Sequence, residues 1–224
     1  MINGIRLKVC GITSLVDADA ADAIGADYLG FIFYPKSPRF APLRQFQAMK
    51  GRLPSRKKVA VCVEPSAEDL AAIVGLGFDF YQIHFNLHVK LETVAFWSTT
   101  VGGPAKLWLA PRLPPGELLD DEFLPFADTF LLDTFHPDKA GGTGQTGDWD
   151  AFTRYRAVHP DKRWFLSGGL NPENVAKAVK ATGAGFIDVN SGVEQSPGIK
   201  SPAKLKAFVF ALHQATKHAN PNYR

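Results

Sequence analysis

The chain has 224 residues, of which 46% are hydrophobic and 21% are charged, a composition typical of an ordinary globular domain. The formal net charge is only +3, and the one basic cluster, Arg56-Lys57-Lys58, has no accompanying basic stripe, so we expect no nucleic-acid partner. No apolar run approaches the roughly 20 residues that span a bilayer, and the N-terminal segment lacks a signal-peptide core, so we expect no membrane partner. Two cysteines within apolar segments favour a reducing cytoplasmic location over disulfides.

Short runs rich in Val, Ile, Phe and Tyr predict eight buried strands, because such side chains suit a pleated, buried surface. The predicted strands cover residues 6–10, 28–33, 58–63, 80–85, 106–110, 129–133, 163–167 and 186–190. A helical pattern follows each strand, at residues 15–24, 43–52, 67–76, 91–99, 116–126, 149–158, 172–181 and 202–215. Four of these helices begin directly after a candidate N-cap, namely Ser14, Ser66, Asn171 and Ser201.

This alternation predicts the fold. A strand, a helix and a further strand in sequence require parallel strands and right-handed crossovers. Eight such units close into a (β/α)8 barrel, so we expect a single α/β domain of the TIM-barrel class over residues 1–224, with a frayed tail at 217–224. The competing fold, an open doubly wound sheet, would carry its glycine fingerprint after the first strand, whereas here the glycine-rich turns follow the last three strands.

Two predicted strands deliver reactive side chains to the C-terminal face of the barrel, where barrel enzymes place their active sites. The first strand ends in Cys10. The sixth ends in Asp133 and runs on to a glycine-rich loop at residues 141–144. A thiol and a carboxylate at the same end of two buried strands are typical of a catalytic cavity.

The glycine-rich loops predict an anion site. Glycine lets backbone N–H groups approach an anion, and the loops after strands seven and eight commonly bind phosphate in barrels of this class. The glycines also have a purely structural explanation, as tight turns after strands, but three such loops side by side favour phosphate. The residues that we select for it are Gly144, Gly168, Gly169, Asn190 and Ser191.

A series of motifs links the chain to a known family. They are KVCGIT (residues 8–13), GADYLGFIF (25–33), SPR (37–39), LLD (131–133), GGTG (141–144) with Asp148-Trp149, SGGL (167–170) and DVNSGVE (188–194). With these motifs in order over nearly its whole length, the chain resembles the phosphoribosylanthranilate isomerases of tryptophan biosynthesis.

The resemblance implies an Amadori rearrangement of a small phosphorylated substrate. An acid protonates the furanose ring oxygen, and a base removes the C2′ proton from the resulting Schiff base. In this family Cys10 corresponds to the base and Asp133 to the acid, while Arg39 meets the anthranilate end of the substrate. No metal or organic cofactor is implied, because the imine of the substrate is itself the electron sink.

For other polar residues near the predicted site, the sequence allows both a structural role and a role in the site. Gln82 and His84 match a Gln-x-His segment of the family, but His84 is also explained as a hydrogen-bonded core histidine. Lys8 lies two residues before Cys10, so both side chains share one face of the strand, and a positive charge there is expected to lower the thiol pKa. Asp188 is expected either to pair with Lys8 or to contact a sugar hydroxyl, and we count it among the substrate-binding candidates.

The chain departs from the family pattern at three loops, the mildest departure being Asn190 in place of the more usual serine. Residues 85–88 replace the usual glycine and acidic residues after the fourth strand, which predicts a re-lined cavity mouth, and Gly147 stands where an aromatic is common. Two rival functions remain open: a related phosphosugar isomerase with altered or dual substrate range, and a non-catalytic barrel that binds a phosphorylated ligand. The sequence leaves monomer and homodimer as alternatives.

Overall fold

Eight parallel strands close into a barrel in chain order, which confirms the predicted fold class. The computed structural model describes residues 1–114, 117–132 and 149–217. The barrel strands are β1 (Arg6–Val9), β2 (Tyr28–Ile32), β3 (Lys57–Val63), β4 (Phe80–Asn86), β5 (Leu107–Arg112), β6 (Thr129–Leu132), β7 (Arg163–Leu166) and β8 (Phe186–Val189). Closure is made by the pairing of β1 with β8, in which Lys8 lies opposite Asp188.

Seven α-helices alternate with these strands in the described part of the chain. They are α1 (Leu15–Ala23), α2 (Leu43–Lys50), α3 (Ala67–Val74), α4 (Leu91–Val101), α5 (Trp149–Val158), α6 (Val175–Thr182) and α7 (Pro202–Lys217). Ser14 and Ser66 cap α1 and α3 as predicted, each accepting a hydrogen bond from the backbone N–H three residues later. Asn171 instead caps a turn, accepting from the N–H groups of Glu173 and Asn174, so α6 begins later than expected.

The predicted helix at residues 116–126 is wrong in type and length. Among its described residues, 117–126, only a 3-10 helix forms, over Asp121–Phe126, and it contains Pro125. Proline lacks the backbone N–H that an α-helix needs and its ring collides with the preceding turn, so this segment does not extend into a regular helix.

A small hairpin between β8 and α7 was not predicted. It follows a 3-10 turn at Ser191–Val193 and consists of β9 (Glu194–Ser196) and β10 (Ile199–Lys200) in antiparallel pairing. The hairpin is anchored to the start of the chain, because Asp17 of α1 accepts the backbone N–H of Lys200 at 2.8 Å. It therefore places residues of the eighth loop beside the first and second strands.

The two faces of the barrel strands form different interiors. Outward-facing side chains pack with the helices into one large apolar cluster. Inward-facing side chains make a smaller cluster that contains Trp108 and Phe165, against which the rings of Tyr28, Phe80 and Phe186 pack. This aromatic plug fills the N-terminal end of the barrel and leaves the C-terminal end to polar residues.

The C-terminal helix continues to Lys217, so the predicted frayed tail overlaps its last residue, and residues 218–224 lie outside the described part of the chain. Within the described residues, none of the helices combines the length and the apolar character needed to cross a membrane.

Candidate active site

A cavity of about 780 Å³, including open solvent at its mouth, lies at the C-terminal ends of the strands. It brings together every predicted site residue that the structure describes: Cys10, Arg39, Gln82, His84, Gly168, Gly169, Asp188, Asn190 and Ser191. Two further predicted residues, Asp133 and Gly144, lie outside the described residues, as do Gly147 and the rest of the sixth loop.

The floor of the cavity holds a buried ion pair. Lys8 is fully buried, and its Nζ donates to Oδ1 and Oδ2 of Asp188 at 2.9 and 3.0 Å. The pairing follows from the sheet, since the two residues face inward from adjacent strands at the same level. Of the two interpretations of Asp188, the ion pair with Lys8 is therefore observed.

The thiol of Cys10 lies one layer above this pair. Cys10 is 4% exposed and lines the cavity. Gly30 on β2 makes room for it, because a Cβ at that position would lie 3.0 Å from both Cys10 Sγ and Lys8 Cε. A side chain at Gly30 would displace either the thiol or the lysine.

The expected drop in the thiol pKa is not what the structure gives. Burial raises the pKa of Cys10 above its ordinary value, and the nearby charge of Lys8 offsets only part of this increase. The prediction left out the burial of the thiol and the negative charge of Asp188, which pairs with Lys8 and favours the protonated thiol. Cys10 is therefore a thiol held beside a cation, with the protonated form favoured.

Gln82 and His84 form a neutral pair on β4. Gln82 Nε2 lies 2.8 Å from His84 Nε2. Burial, followed by the charges of Lys8 and Arg112, lowers the pKa of His84 to about 3, so its ring is neutral at physiological pH. A neutral ring that accepts the amide proton at Nε2 carries its own proton on Nδ1. The buried Oε1 of Gln82 has no hydrogen-bond partner among the described residues, which leaves an acceptor without a donor.

Arg39 is held in place by the unpredicted hairpin. Its Nε donates to Oε1 and Oε2 of Glu194 at 2.9 and 3.1 Å, and its Nη2 donates to Oε2 at 2.7 Å. Lys200 Nζ approaches the same carboxylate at 3.0 Å and also donates to Asn190 Oδ1 at 2.9 Å. Burial raises the pKa of Glu194, but the bond from Arg39 and the charge of Lys200 outweigh burial and hold it below its ordinary value.

Sequence reasoning missed the roles of Glu194 and Lys200. Glu194 stood inside a quoted motif, but no spacing rule connects it with Arg39, which lies 155 positions earlier. The long side chain of Lys200 shows no signal in the sequence, since a lysine near a turn is usually solvated.

Sequence reasoning also missed Arg112, which lines the cavity from the end of β5. The predicted strand stopped at residue 110 before Pro111, yet β5 continues to pair with β4 through Arg112. The ladder between β5 and β6 ends at Leu109, so Pro111 sits where β5 has only one paired neighbour, the setting in which a strand tolerates proline.

The seventh and eighth loops present backbone groups to the cavity. Gly168 and Gly169 both have positive φ angles, of 90° and 63°, which favours glycine. Their N–H groups have no hydrogen-bond partner within the described residues. Gly192 lies against the backbone of Leu170 and Asn171, where a Cβ would collide, so the two loops are in close contact. This is the arrangement that anion binding by backbone donors requires.

The expectation that residues 85–88 re-line the cavity mouth is wrong, since none of these described residues lines the cavity. Phe85 points to the outer face of the sheet, where its ring packs against Trp97 and Phe123. Asn86 is the last residue of β4, and its backbone N–H and side-chain amide both donate to Glu64 Oε1.

The closed barrel and its cavity together define the class of protein: a (β/α)8-barrel enzyme with its polar site at the C-terminal face, next to glycine-rich loops. Comparison with known proteins is more specific. Residues 7–211 match the model of the family described as N-(5'phosphoribosyl)anthranilate (PRA) isomerase. The chain belongs to this family.

Individual relatives agree with the family match. A curated N-(5'-phosphoribosyl)anthranilate isomerase of Cereibacter sphaeroides is 38% identical over 213 residues, covering 92% of this chain and 97% of the relative. The crystal structure of the Thermus thermophilus enzyme has a TM-score of 0.73 and 30% identity, covering 94% of this chain and 99% of that chain. A second structure, at 27% identity and a TM-score of 0.69, shows a phosphoribosyl anthranilate isomerase with reduced 1-(o-carboxyphenylamino)-1-deoxyribulose 5-phosphate and covers 96% of this chain and 99% of that chain.

Proposed function

We propose that this chain isomerises N-(5'-phosphoribosyl)anthranilate to 1-(2-carboxyphenylamino)-1-deoxyribulose 5-phosphate in tryptophan biosynthesis. The observation that carries the proposal is the thiol of Cys10, which lines the cavity directly above the Lys8–Asp188 pair in a chain of this family. A barrel that only bound a phosphorylated ligand would need neither a buried thiol in its cavity nor a cation beneath it.

The reaction consists of two proton transfers with no net change in composition. Protonation of the ring oxygen opens the furanose to a protonated imine, and loss of the C2′ proton then converts this cation to a neutral enolamine. The enolamine tautomerises to the ketone. The imine accepts the electron pair of the broken C–H bond, so we propose that the enzyme works without a metal or an organic cofactor.

We assign Cys10 as the base and Asp133 as the acid. Cys10 removes a proton only as the thiolate, and the charge of Lys8 is the neighbouring feature that favours this form against burial. A small reactive fraction then supports turnover, and that fraction grows as the pH rises. Asp133 follows β6, two strands from β8 around the closed barrel. Its role is to give its proton to the ring oxygen.

The phosphate is proposed to bind at the seventh and eighth loops, with Gly144 of the sixth loop adding a donor. The N–H groups of Gly168 and Gly169, which have no partner among the described residues, supply the neighbouring donors together with those of Asn190 and Ser191. Backbone donors suit a phosphate because they supply partial positive charge without a titrating group.

The remaining polar residues are proposed to position the sugar and the anthranilate. Glu194 engages Nε and Nη2 of Arg39, whereas Nη1 has no partner among the described residues and is proposed to face the aromatic end of the substrate. Gln82 and His84 offer neutral polar atoms, and Asp188 lines the cavity while it holds Lys8. We further propose a cytoplasmic enzyme that acts on a small phosphorylated molecule, as a monomer or a homodimer.

The purified chain tests the proposal directly. Anthranilate fluorescence is expected to fall as N-(5'-phosphoribosyl)anthranilate is converted, and the gene is expected to restore growth of a tryptophan auxotroph lacking this step. An aminoaldose of histidine biosynthesis, supplied in a parallel assay, tests the rival isomerase. That rival would be expected to use carboxylates on the first and fifth strands, whereas β1 leads to Cys10 and β5 ends in Arg112. A protein that converts only the second substrate would disprove the proposed function.

A further inference from the structure

Arg112 stands at the mouth of the cavity at the end of β5. Trp108 and Ala110, four and two residues earlier on the same strand, belong to the inward-facing cluster. Because side chains on one face of a strand recur every second residue, Arg112 also turns inward, and it lines the cavity. Its backbone pairs with Asn86 of β4.

Arg112 differs from the other cations of the site in its partners. Lys8 is paired with Asp188, and Arg39 and Lys200 share Glu194. The guanidinium of Arg112 has no hydrogen bond and no ion pair with any of the described residues. A partly buried guanidinium without a carboxylate is unfavourable unless the ligand brings an anion, because burial removes part of its hydration.

The position of Arg112 around the barrel indicates which part of the ligand it meets. In the closed order of eight strands, β4 lies opposite β8, and β5 is its next neighbour. A ligand whose phosphate binds at the loops after β7 and β8 therefore extends its other end towards His84 and Arg112. His84 is neutral, with a pKa of about 3, so it supplies no positive charge there.

The other candidate is Arg39, but it lies on the β1 and β8 side of the cavity, where Glu194 already engages its Nε and Nη2. The donors of Arg112 are all unengaged within the described residues. A free guanidinium binds a carboxylate through two parallel hydrogen bonds, which is the strongest geometry available to such a pair.

We propose that Arg112 is a specificity-determining residue that binds the carboxylate of the anthranilate group, while Arg39 faces the aromatic ring. The enzyme then selects aminoaldose phosphates whose aryl group carries an acid. This inference rests on the proposed function and adds the residue that distinguishes the anthranilate from an uncharged arylamine.

The test compares two inert ligands on one set of variants. The first ligand is the reduced product, and the second is the same molecule without its carboxylate. In the Arg112→Met variant, the dissociation constant of the first ligand is expected to rise about 10- to 100-fold, the range for losing a hydrogen bond to a charged group, while that of the second changes less than about 3-fold. The Arg112→Lys variant keeps the positive charge but cannot form two parallel hydrogen bonds. It is expected to bind the first ligand more tightly than Arg112→Met and more weakly than the wild type.

Control variants separate the explanations. Arg163→Met, at the opposite end of the barrel on β7, is expected to leave both dissociation constants unchanged. Equal weakening of both ligands by Arg112→Met would mean that the residue shapes the cavity, and no change in either would remove it from the site. Discrimination that disappears in Arg39→Met but persists in Arg112→Met would also overturn the inference. A wild-type protein that neither turns over the substrate nor binds the reduced product would instead refute the proposed function.

Discussion

Alternate residues of the same strands form the inner and the outer face of the barrel, yet the two faces differ in composition and in role. The outer face packs against the helices in one large apolar cluster. The inner face has aromatic residues at one end of the barrel, then the Lys8–Asp188 pair, then the cavity. The aromatic plug separates two sets of ionisable side chains on this face: Arg6, Lys57 and Arg163 lie below it at the N-terminal mouth, and the ion pair and the cavity residues lie above it.

The two cysteines illustrate how the inner and outer faces differ in their effect on a thiol pKa. Cys62 belongs to the outer apolar cluster, where burial, with a small contribution from Asp69, raises its pKa to about 12. Cys10 is equally buried, but Lys8 opposes the effect of burial. A buried cysteine on a strand is therefore inert or potentially reactive according to the face that it occupies.

The largest expected effect is on turnover when the inner cysteine is changed. Cys10→Ser is expected to lower kcat by about 10²- to 10⁴-fold, because a hydroxyl is a far weaker base than a thiolate. Cys62→Ser serves as the matched control and is expected to leave kcat within about 3-fold while lowering the melting temperature, since it buries a hydroxyl among apolar groups. Steady-state kinetics and thermal unfolding measure both variants. Similar kcat losses in the two variants would abolish the distinction between the faces.

The proposed acid gives a comparable effect. Asp133→Asn is expected to lower kcat by about 10²-fold or more, because an amide forms hydrogen bonds but cannot transfer the proton. Binding of the reduced product should stay nearly unchanged, as titration calorimetry would show.

The pH dependence of the wild type sharpens this assignment. The rate should rise with pH as Cys10 loses its proton, and the rising limb should extend beyond the ordinary cysteine value near ~8.5, because burial raises this pKa. The reaction also needs Asp133 protonated, so this rising limb is observed only while Asp133 keeps its proton, and the rate should stop rising where Asp133 becomes deprotonated. An Asp133→Asn variant that loses product binding would show that Asp133 positions the ligand instead.

The inner ion pair is expected to matter more for stability than an outer one. Asp188→Asn leaves Lys8 charged and buried without its partner, so the free energy of unfolding should fall by about 3–5 kcal/mol. Asp22→Asn, which breaks the half-exposed pair with Arg56, should cost at most about 1 kcal/mol. Urea unfolding measures the free energy of unfolding of both variants, and the dependence of that free energy on urea concentration should stay unchanged. Equal losses would show that the position of an ion pair inside the barrel adds nothing.

The smallest expected effect concerns the protonation of His84. Its lowered pKa, of about 3, predicts that the imidazole stays neutral throughout the physiological range, so it contributes no inflection near pH 6.5 to the rate profile. The unfolded chain, with an ordinary histidine pKa, binds this proton first. Stability from His84 is therefore lost as the pH falls from about 6.5 towards 3. Nitrogen chemical shifts of labelled histidine follow the titration, and a midpoint above pH 5 would contradict the expected environment.

Much of the barrel was predictable because its signals are local. Apolar runs of strand length, serines before helices and glycines after strands all act within a few residues, and seven of the eight predicted helical segments correspond to α-helices. The segment at residues 116–126 failed because Pro125 limits it to a 3-10 helix. The hairpin of β9 and β10 was missed because strands of three and two residues are too short to show a pattern.

The sequence by itself determined the fold class, the family and which residue types meet at the C-terminal face, since periodicity and motif order do not depend on distant contacts. Only the tertiary structure decided which partner each charge has. It joined Lys8 to Asp188 and Arg39 to Glu194, and it left Arg112 unpaired within the described residues. These outcomes depend on closure of the barrel, which places residues more than 150 positions apart within hydrogen-bonding distance. The environment of each ionisable group, and with it the pKa of Cys10, follows from that closure.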